Sequence, residues 1–300
     1  MYPIVFALLY LVSLLPLWVL HRLSDLAFVI IYYFIGYRKE VVYDNLLHAF
    51  PEKTDAERKL IAKKFYLRFC DNWIETIKLL SISKKSFHRR VTGNYSVFNE
   101  MYQTGRSLQG NFGHFFNWEM LNRSLPINQP YTFLAVYFPQ KNSIMDRLMR
   151  YVRGKWNSPL IPSTDMAKAI IPWRKRQYAI GLVADQSIRT PETGYWLNFM
   201  GRPACFAKGP EKFARGQNMV VTMTTTRSPK RGRYVFDSFL LADNVTSLPD
   251  GELMRRYVRH LEENIRLQPE LYLWSHRRWK HTWKPGYEKL WVDDSALPDT

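Results

Sequence analysis

Apolar positions are distributed along this chain in three different ways. At the N-terminus they are nearly continuous: Tyr2 to Leu20, YPIVFALLYLVSLLPLWVL, is nineteen residues without a formal charge. At a rise of about 1.5 Å per residue, such a helix nearly matches the roughly 30 Å hydrocarbon core of a bilayer, and Pro16 could kink it. A second apolar patch, Leu26 to Tyr37, is too short to span and ends in Arg38-Lys39. Beyond it the pattern turns one-sided. Thr54 and Glu57 stand at capping-box spacing, and Leu60, Ile61, Phe65, Phe69, Trp73 and Ile77 follow at helical intervals. This predicts one long amphipathic helix ending near Ser81, with Phe69 and Trp73 packed in the core.

From Ser107 onward, short β-rich runs alternate with helical ones. Strands are predicted at Ser107–Phe112, Thr132–Phe138, Tyr178–Ala184 and Met219–Thr226, and at Leu271–Trp274 ahead of a basic C-terminal cluster. Helices are predicted at Asn117–Arg123, Asn142–Arg153, Met166–Arg176, Cys205–Gln217 and Leu253–Arg266. Alternation over this length predicts an α/β fold, a mixed and mostly parallel central sheet flanked by helices, with an N-terminal membrane helix. No internal repeat or low-complexity linker divides the remainder. Residues 1–37 therefore read as a membrane-anchoring segment and 38–300 as one domain.

Composition and charge narrow this picture. An apolar fraction of 46% excludes a disordered chain. Two cysteines, Cys70 and Cys205, cannot build a disulfide framework or a four-thiolate zinc site. No HExxH, P-loop, GxGxxG or GxSxG spacing occurs, so no metal or cofactor is expected. A net charge of +17 favours anionic partners. No Lys or Arg precedes the N-terminal stretch and no A-x-A-like site follows it, so it reads as an anchor and not a cleaved signal. Basic residues on its C-terminal side place the main body in the cytoplasm. If the segment lies in the interface instead of spanning, the body is still held at the membrane surface. The aromatics interleaved with cations are better explained as interfacial anchors than as base-stacking platforms, so no nucleic-acid partner is expected.

In α/β sheets, chemistry gathers past the C-terminal ends of strands. Here the strand ending at Phe112 is followed by Gly113-His114-Phe115-Phe116-Asn117-Trp118-Glu119. On one ideal helix, His114 and Glu119 would point roughly 140° apart. They can meet only with His114 in the loop and Glu119 in the first turns of the helix. The carboxylate would then fix the imidazole tautomer and leave the other nitrogen free to take a proton. Without a neighbouring Ser or Cys nucleophile, such a pair suits a base that activates a substrate hydroxyl. A purely structural histidine is the alternative at this stage.

The H-x₄-E of His114 and Glu119 resembles the H-x₄-D/E mark of the glycerolipid acyltransferase superfamily. The likeness extends to the late (secondary) acyltransferases of lipid A biosynthesis and to their lysophospholipid acyltransferase relatives. Four further stretches carry it: YAIGLVADQ with Asp185-Gln186, FMGRPACFAKGPEKFAR from Phe199, RYVRGKWN from Arg150, and PELYLWSHRRWK from Pro269 to Lys280. The last is similar to the family's Pro-Glu-x-Tyr-x-Trp-x-His-Arg-Arg-aromatic-Lys ending.

The resemblance implies a membrane-associated O-acyltransferase on the cytoplasmic face of a bacterial inner membrane. It would move a fatty acyl chain from an acyl thioester, on acyl carrier protein or coenzyme A, to a hydroxyl of an anionic lipid A precursor. The same chemistry on a lysophospholipid, aminolipid or glycosyl phospholipid is the alternative, as is a non-catalytic membrane-binding protein on the same fold. His114 would be the base and Glu119 its orienting partner, with Phe115, Phe116, Trp118 and aromatics of Tyr131–Phe138 lining the acyl groove. Arg150 or Arg153, Asp185 and Gln186 would serve substrate. Arg277, Arg278 and Lys280 have two readings. An inward arginine meeting Asp185 or Glu119 would brace the scaffold, and one near the His114 pocket would bind an acceptor phosphate.

Overall fold

The uncharged N-terminal stretch does not form one helix. In the structure, a computed structural model describing residues 1–156 and 158–298, α1 (Tyr2–Leu14) stops before Pro16. After that residue α2 (Leu17–Val29) begins, and it runs on as a π-helical turn, Ile30–Ile35. Proline lacks the N–H that would continue α1, and its ring clashes with the preceding turn. The 13 residues of α1 reach about 20 Å, short of a roughly 30 Å bilayer core. A single spanning helix over Tyr2–Leu20 is thus corrected. By length and composition, the 19 residues Leu17–Ile35 could cross a membrane instead. Carbonyls at the end of α1 are satisfied from elsewhere: Lys78 Nζ donates to Ser13 O at 2.7 Å, and Ser81 Oγ to the same oxygen at 2.6 Å.

After α3 (Lys39–Ala49), α4 (Asp55–Lys78) forms behind the expected capping box of Thr54 and Glu57. Its first half buries Ala62, Phe65 and Tyr66. Its second half turns toward α2 and buries Asp71, Asn72, Glu75 and Thr76. Trp73, on the opposite side, stays 44% exposed and does not enter the core as expected.

The remaining elements are α5 (Lys84–His88), β1 (Val91–Thr92), α6 (Ser96–Tyr102), β2 (Leu108–Phe112), α7 (Trp118–Asn128), β3 (Thr132–Tyr137) and α8 (Ser143–Gly154). They continue with β4 (Leu160–Pro162), α9 (Met166–Ala169), β5 (Tyr178–Val183), β6 (Tyr195–Phe199) and β7 (Arg202–Phe206). The chain closes with α10 (Gly209–Gly216), β8 (Val220–Lys230), β9 (Arg233–Ala242) and α11 (Glu252–Leu267). Seven strands make the central sheet in the order β1-β9-β8-β2-β5-β3-β4. β8, β2, β5, β3 and β4 run parallel, and β9 is antiparallel to β8. The mixed, mostly parallel sheet flanked by helices is what the alternation predicted. Its central strands are buried on both faces, as parallel strands require. Phe65, Tyr66, Tyr257 and Leu261 from α4 and α11 cover one face, and Phe98, Leu121, Leu125 and Leu148 from α6, α7 and α8 the other.

Three predicted elements differ. The helix over Met166–Arg176 is only four residues of α9 and a 3₁₀ turn, Ile171–Trp173, because Pro172 interrupts it. The helix over Cys205–Gln217 begins at Gly209, since Arg202–Phe206 pairs with β6 as an antiparallel hairpin. Leu271–Trp274 is not a strand. It follows a 3₁₀ turn, Pro269–Leu271, and makes a single bridge, Phe115 to Tyr272.

Candidate active site

Parallel pairing sets two side chains next to each other. Phe112, the last residue of β2, is in register with Val183, the last of β5. The residues two beyond these ends, His114 and Asp185, leave the sheet side by side. Asp185 Oδ2 accepts the backbone N–H of His114 at 2.8 Å, and Oδ1 lies 2.5 Å from His114 Nδ1. Burial raises the Asp185 carboxyl, but the adjacent His114 outweighs it and holds the group below the usual carboxylate range. With Nδ1 engaged, Nε2 is the free nitrogen, and Gln186 Nε2 donates to it at 3.3 Å.

The expected pairing of His114 with Glu119 is therefore corrected: Asp185 holds the imidazole. Glu119 is turned elsewhere by the start of α7. Asn117 Oδ1 accepts the N–H of Glu119 at 3.1 Å and of Met120 at 3.3 Å, a side-chain N-cap that begins the helix at Trp118. In that first turn Glu119 faces α8. Arg153 Nε donates to both of its oxygens at 3.0 Å, Arg153 Nη2 to Oε1 at 2.5 Å, and Trp118 Nε1 to Oε1 at 3.0 Å. Burial lowers the Arg153 guanidinium, and Glu119 more than offsets that, so it is held as a cation above its ordinary value. Arg150, three residues earlier, lies instead over the Tyr137 ring in a shallow outer hollow with Lys141 and Arg147.

Both pairs open on one cavity of about 880 Å³ between the sheet face and α7. His114, Trp118, Glu119, Arg153 and Gln186 form its polar end. Phe112, Leu121, Leu125, Phe133, Ala135, Tyr137, Phe138, Gly181 and Leu182 are part of its larger apolar lining. Trp118 lines this cavity. Phe115 and Phe116 do not: each is 1% exposed and points into the core, Phe115 against Tyr272 and Phe116 against Phe65. Backbone pairing turns them inward. Phe116 N–H donates to Leu271 O at 2.8 Å, and Leu273 N–H to His114 O at 3.1 Å.

That pairing gives the C-terminal motif its place. Residues 271–273 hold the His114 loop, and Ser187 Oγ donates to Arg277 O at 3.1 Å beside the Asp185 loop. Arg278 is the inward arginine, 2% exposed. No carboxylate among the described residues hydrogen-bonds it. It lies 3.9 Å over the Phe206 ring, and burial pushes its guanidinium down from its ordinary value. Arg277 and Lys280 are exposed, and neither lines the cavity. Burial, then Arg278, holds His276 down to about 4, so the cluster is less cationic at neutral pH than it reads. A brace made by an arginine–carboxylate bond is not what forms. The motif braces through its backbone.

Sequence reasoning placed Asp185 at a strand end but not on His114, and it passed over Asn117 and Glu75. A signal for Asp185 was present, since it follows an apolar strand at the same two-residue distance as His114 does. The adjacency of β2 and β5 was the missing fact. With this geometry, an imidazole and a paired guanidinium line one largely apolar cavity.

The family described as bacterial lipid A biosynthesis acyltransferase matches residues 2–281. A lipid A biosynthesis lauroyltransferase of Escherichia coli (strain K12) is 24% identical over 275 residues, 91% of this chain and 89% of that protein.

Proposed function

Because this chain belongs to the bacterial lipid A biosynthesis acyltransferase family and is an acyltransferase, we propose that it carries a fatty acyl group from acyl carrier protein to a hydroxyl of a lipid A precursor. The observation that carries this reading is the His114–Asp185 pair at the polar end of the apolar cavity. Asp185 accepts a hydrogen bond from Nδ1–H of the imidazole, which leaves the lone pair of Nε2 directed to the cavity. Nε2 removes the proton of the acceptor hydroxyl, and the oxygen attacks the thioester carbon. The C–S bond breaks, and the carrier leaves as a thiol with the proton from His114. Arg153 has Nε and Nη2 committed to Glu119. Its remaining nitrogen is a fixed donor for the developing oxyanion or for an acceptor phosphate. The acyl chain lies along Leu121, Leu125, Phe133 and Gly181.

The acidic carrier and the phosphorylated acceptor are matched by the +17 charge. The protein sits on the cytoplasmic face of the inner membrane, anchored by residues 1–37. Support comes from α1, α2 and the π-helical turn, where Ile4, Leu8, Leu11, Trp18, Leu26 and Phe34 are each exposed. Lys39 over the Tyr32 ring and Lys63 over the Tyr33 ring add cations beside them.

The direct test incubates purified protein with acyl carrier protein thioesters and a lipid A precursor, followed by mass spectrometry. A mass gain of one acyl group, lost in His114→Ala, is expected. No transfer from either a carrier or a coenzyme A thioester would overturn the reading.

A further inference from the structure

Glu75 is fully buried, belongs to no part of the mechanism above, and yet receives three donors from three elements. His21 Nε2 of α2 lies 3.1 Å from its Oε1. Asn117 Nδ2 donates to its Oε2 at 3.1 Å, and Tyr234 Oη of β9 to the same oxygen at 2.6 Å. A carboxylate can only accept, so these contacts assign the partners. His21 carries its proton on Nε2, Tyr234 donates, and Asn117 must turn its NH₂ toward Glu75. The last assignment matters most, because it leaves Asn117 Oδ1 facing the N–H groups of Glu119 and Met120. A flipped amide would aim two N–H donors at two others. Burial, then Glu75, pushes the Tyr234 phenol well up, so it remains a donor.

We propose that Glu75 is a positioning residue for acyl transfer, fixing the Asn117 amide, and with it the Glu119-bearing start of α7, from the seat of α2. The proposal rests on the acyl-transfer reading and adds to it a link between the membrane-facing N-terminus and the catalytic loop. Its physical basis is one-directional: the carboxylate selects one of two amide orientations, and only that orientation caps α7.

Exchanging donor and acceptor tests this. In Asn117→Asp two carboxylates face each other and share one proton only at low pH. The other ionisable groups around Glu75 are His21, Tyr234 and Arg90, with Asp71 and Arg68 also acting on Tyr234, and they are the same in wild type, Asn117→Asp and the double variant. Relative to wild type, kcat of Asn117→Asp should fall as pH rises from 6 to 9, by about tenfold or more, since a misplacement of about 1 Å can cost up to roughly 10²-fold. The KM for the acyl thioester and the folded fraction should change little. Adding Glu75→Gln restores a donor opposite an acceptor and should remove most of that loss. His21→Ala should lower kcat about two- to fivefold with KM unchanged, the smaller cost of loosening one of three contacts.

An Asn117→Asp profile that tracks wild type, or a double variant as slow as Asn117→Asp alone, overturns the proposal. So does His21→Ala at wild-type kcat, which would cut α2 out of the chain of contacts. Should Asn117→Asp fail to fold, the double variant decides alone: folded with near wild-type kcat supports the exchange, and unfolded or slow overturns it. Wild-type protein that transfers no acyl group removes the acyl-transfer reading itself, an outcome distinct from all of these.

Discussion

Two buried carboxylates flank the same cavity and do different work. Asp185 and Glu119 each have side chains 1% exposed, and each holds one basic partner at the cavity wall. The partner of Asp185 is an imidazole, one ring nitrogen of which can hold a proton while the other accepts one. The partner of Glu119 is a guanidinium, which keeps its charge throughout. The first pair can therefore move a proton, and the second can only supply a fixed cation. Their origins differ as well. His114 and Asp185 meet because two parallel strands end in register, whereas Glu119 and Arg153 meet because the Asn117 cap turns the first residues of α7 toward α8. The carboxylate named by the H-x₄-E spacing is thus the one that does not touch the histidine. What a buried carboxylate contributes here is decided by its partner and not by its place in a motif.

The largest effects should separate the pairs by rate. His114→Ala removes the proton acceptor and should lower kcat by roughly 10²–10⁴-fold with folding intact. Asp185→Asn keeps the shape but can no longer hold the Nδ1 proton. Its loss should fall toward the lower end, about 10²-fold, measured by product formation under saturating thioester. Glu119→Gln should behave differently. It leaves Arg153 facing a neutral amide, so stability drops by about 1–3 kcal/mol, read by denaturant titration, while the pH–rate profile keeps its wild-type shape. Turnover as low as in His114→Ala, without loss of stability, would erase the distinction between the pairs.

These pairs also show what the chain reveals unaided. The strands at Leu108, Thr132 and Tyr178 and the helix behind Thr54 are legible because local periodicity and caps encode them. Strand order is not, so Asp185 could be placed at a strand end but not against His114. Phe115 and Phe116 look like groove residues because they follow His114. They are core residues because residues 271–273, some 155 positions away, pair with their backbone. Trp73 looks like core by spacing, and α2 claims the opposite side of that turn with His21 and Ser24. Each miss has one cause: a long-range contact that local pattern does not carry. Pro16 and Pro172 are the exceptions, local signals that end one helix and interrupt another.

The smallest effect should appear in acid, and it sharpens the comparison because only one pair shows it. Burial alone would raise the Asp185 carboxyl, and His114 brings it below the ordinary range instead. A folded-state value below the unfolded one, near 3.9, adds stability that is fully present above about pH 4 and is lost as pH falls through the folded value. In His114→Ala the imidazole's contribution is gone, while the backbone N–H of residue 114 and Arg278 still oppose the burial. The Asp185 carboxyl then sits higher than in wild type, so less stability is lost from that variant as pH falls. The gap in melting temperature between wild type and His114→Ala should accordingly be widest near pH 7 and close toward pH 3. Arg153→Lys keeps a cation at its site and leaves Asp185 untouched, so its gap to wild type should not follow that course. Thermal denaturation of the three proteins between pH 3 and 7 reads both. A His114→Ala gap that stays constant over this range would mean that the imidazole does not hold the Asp185 carboxylate, and that the first pair is as fixed as the second.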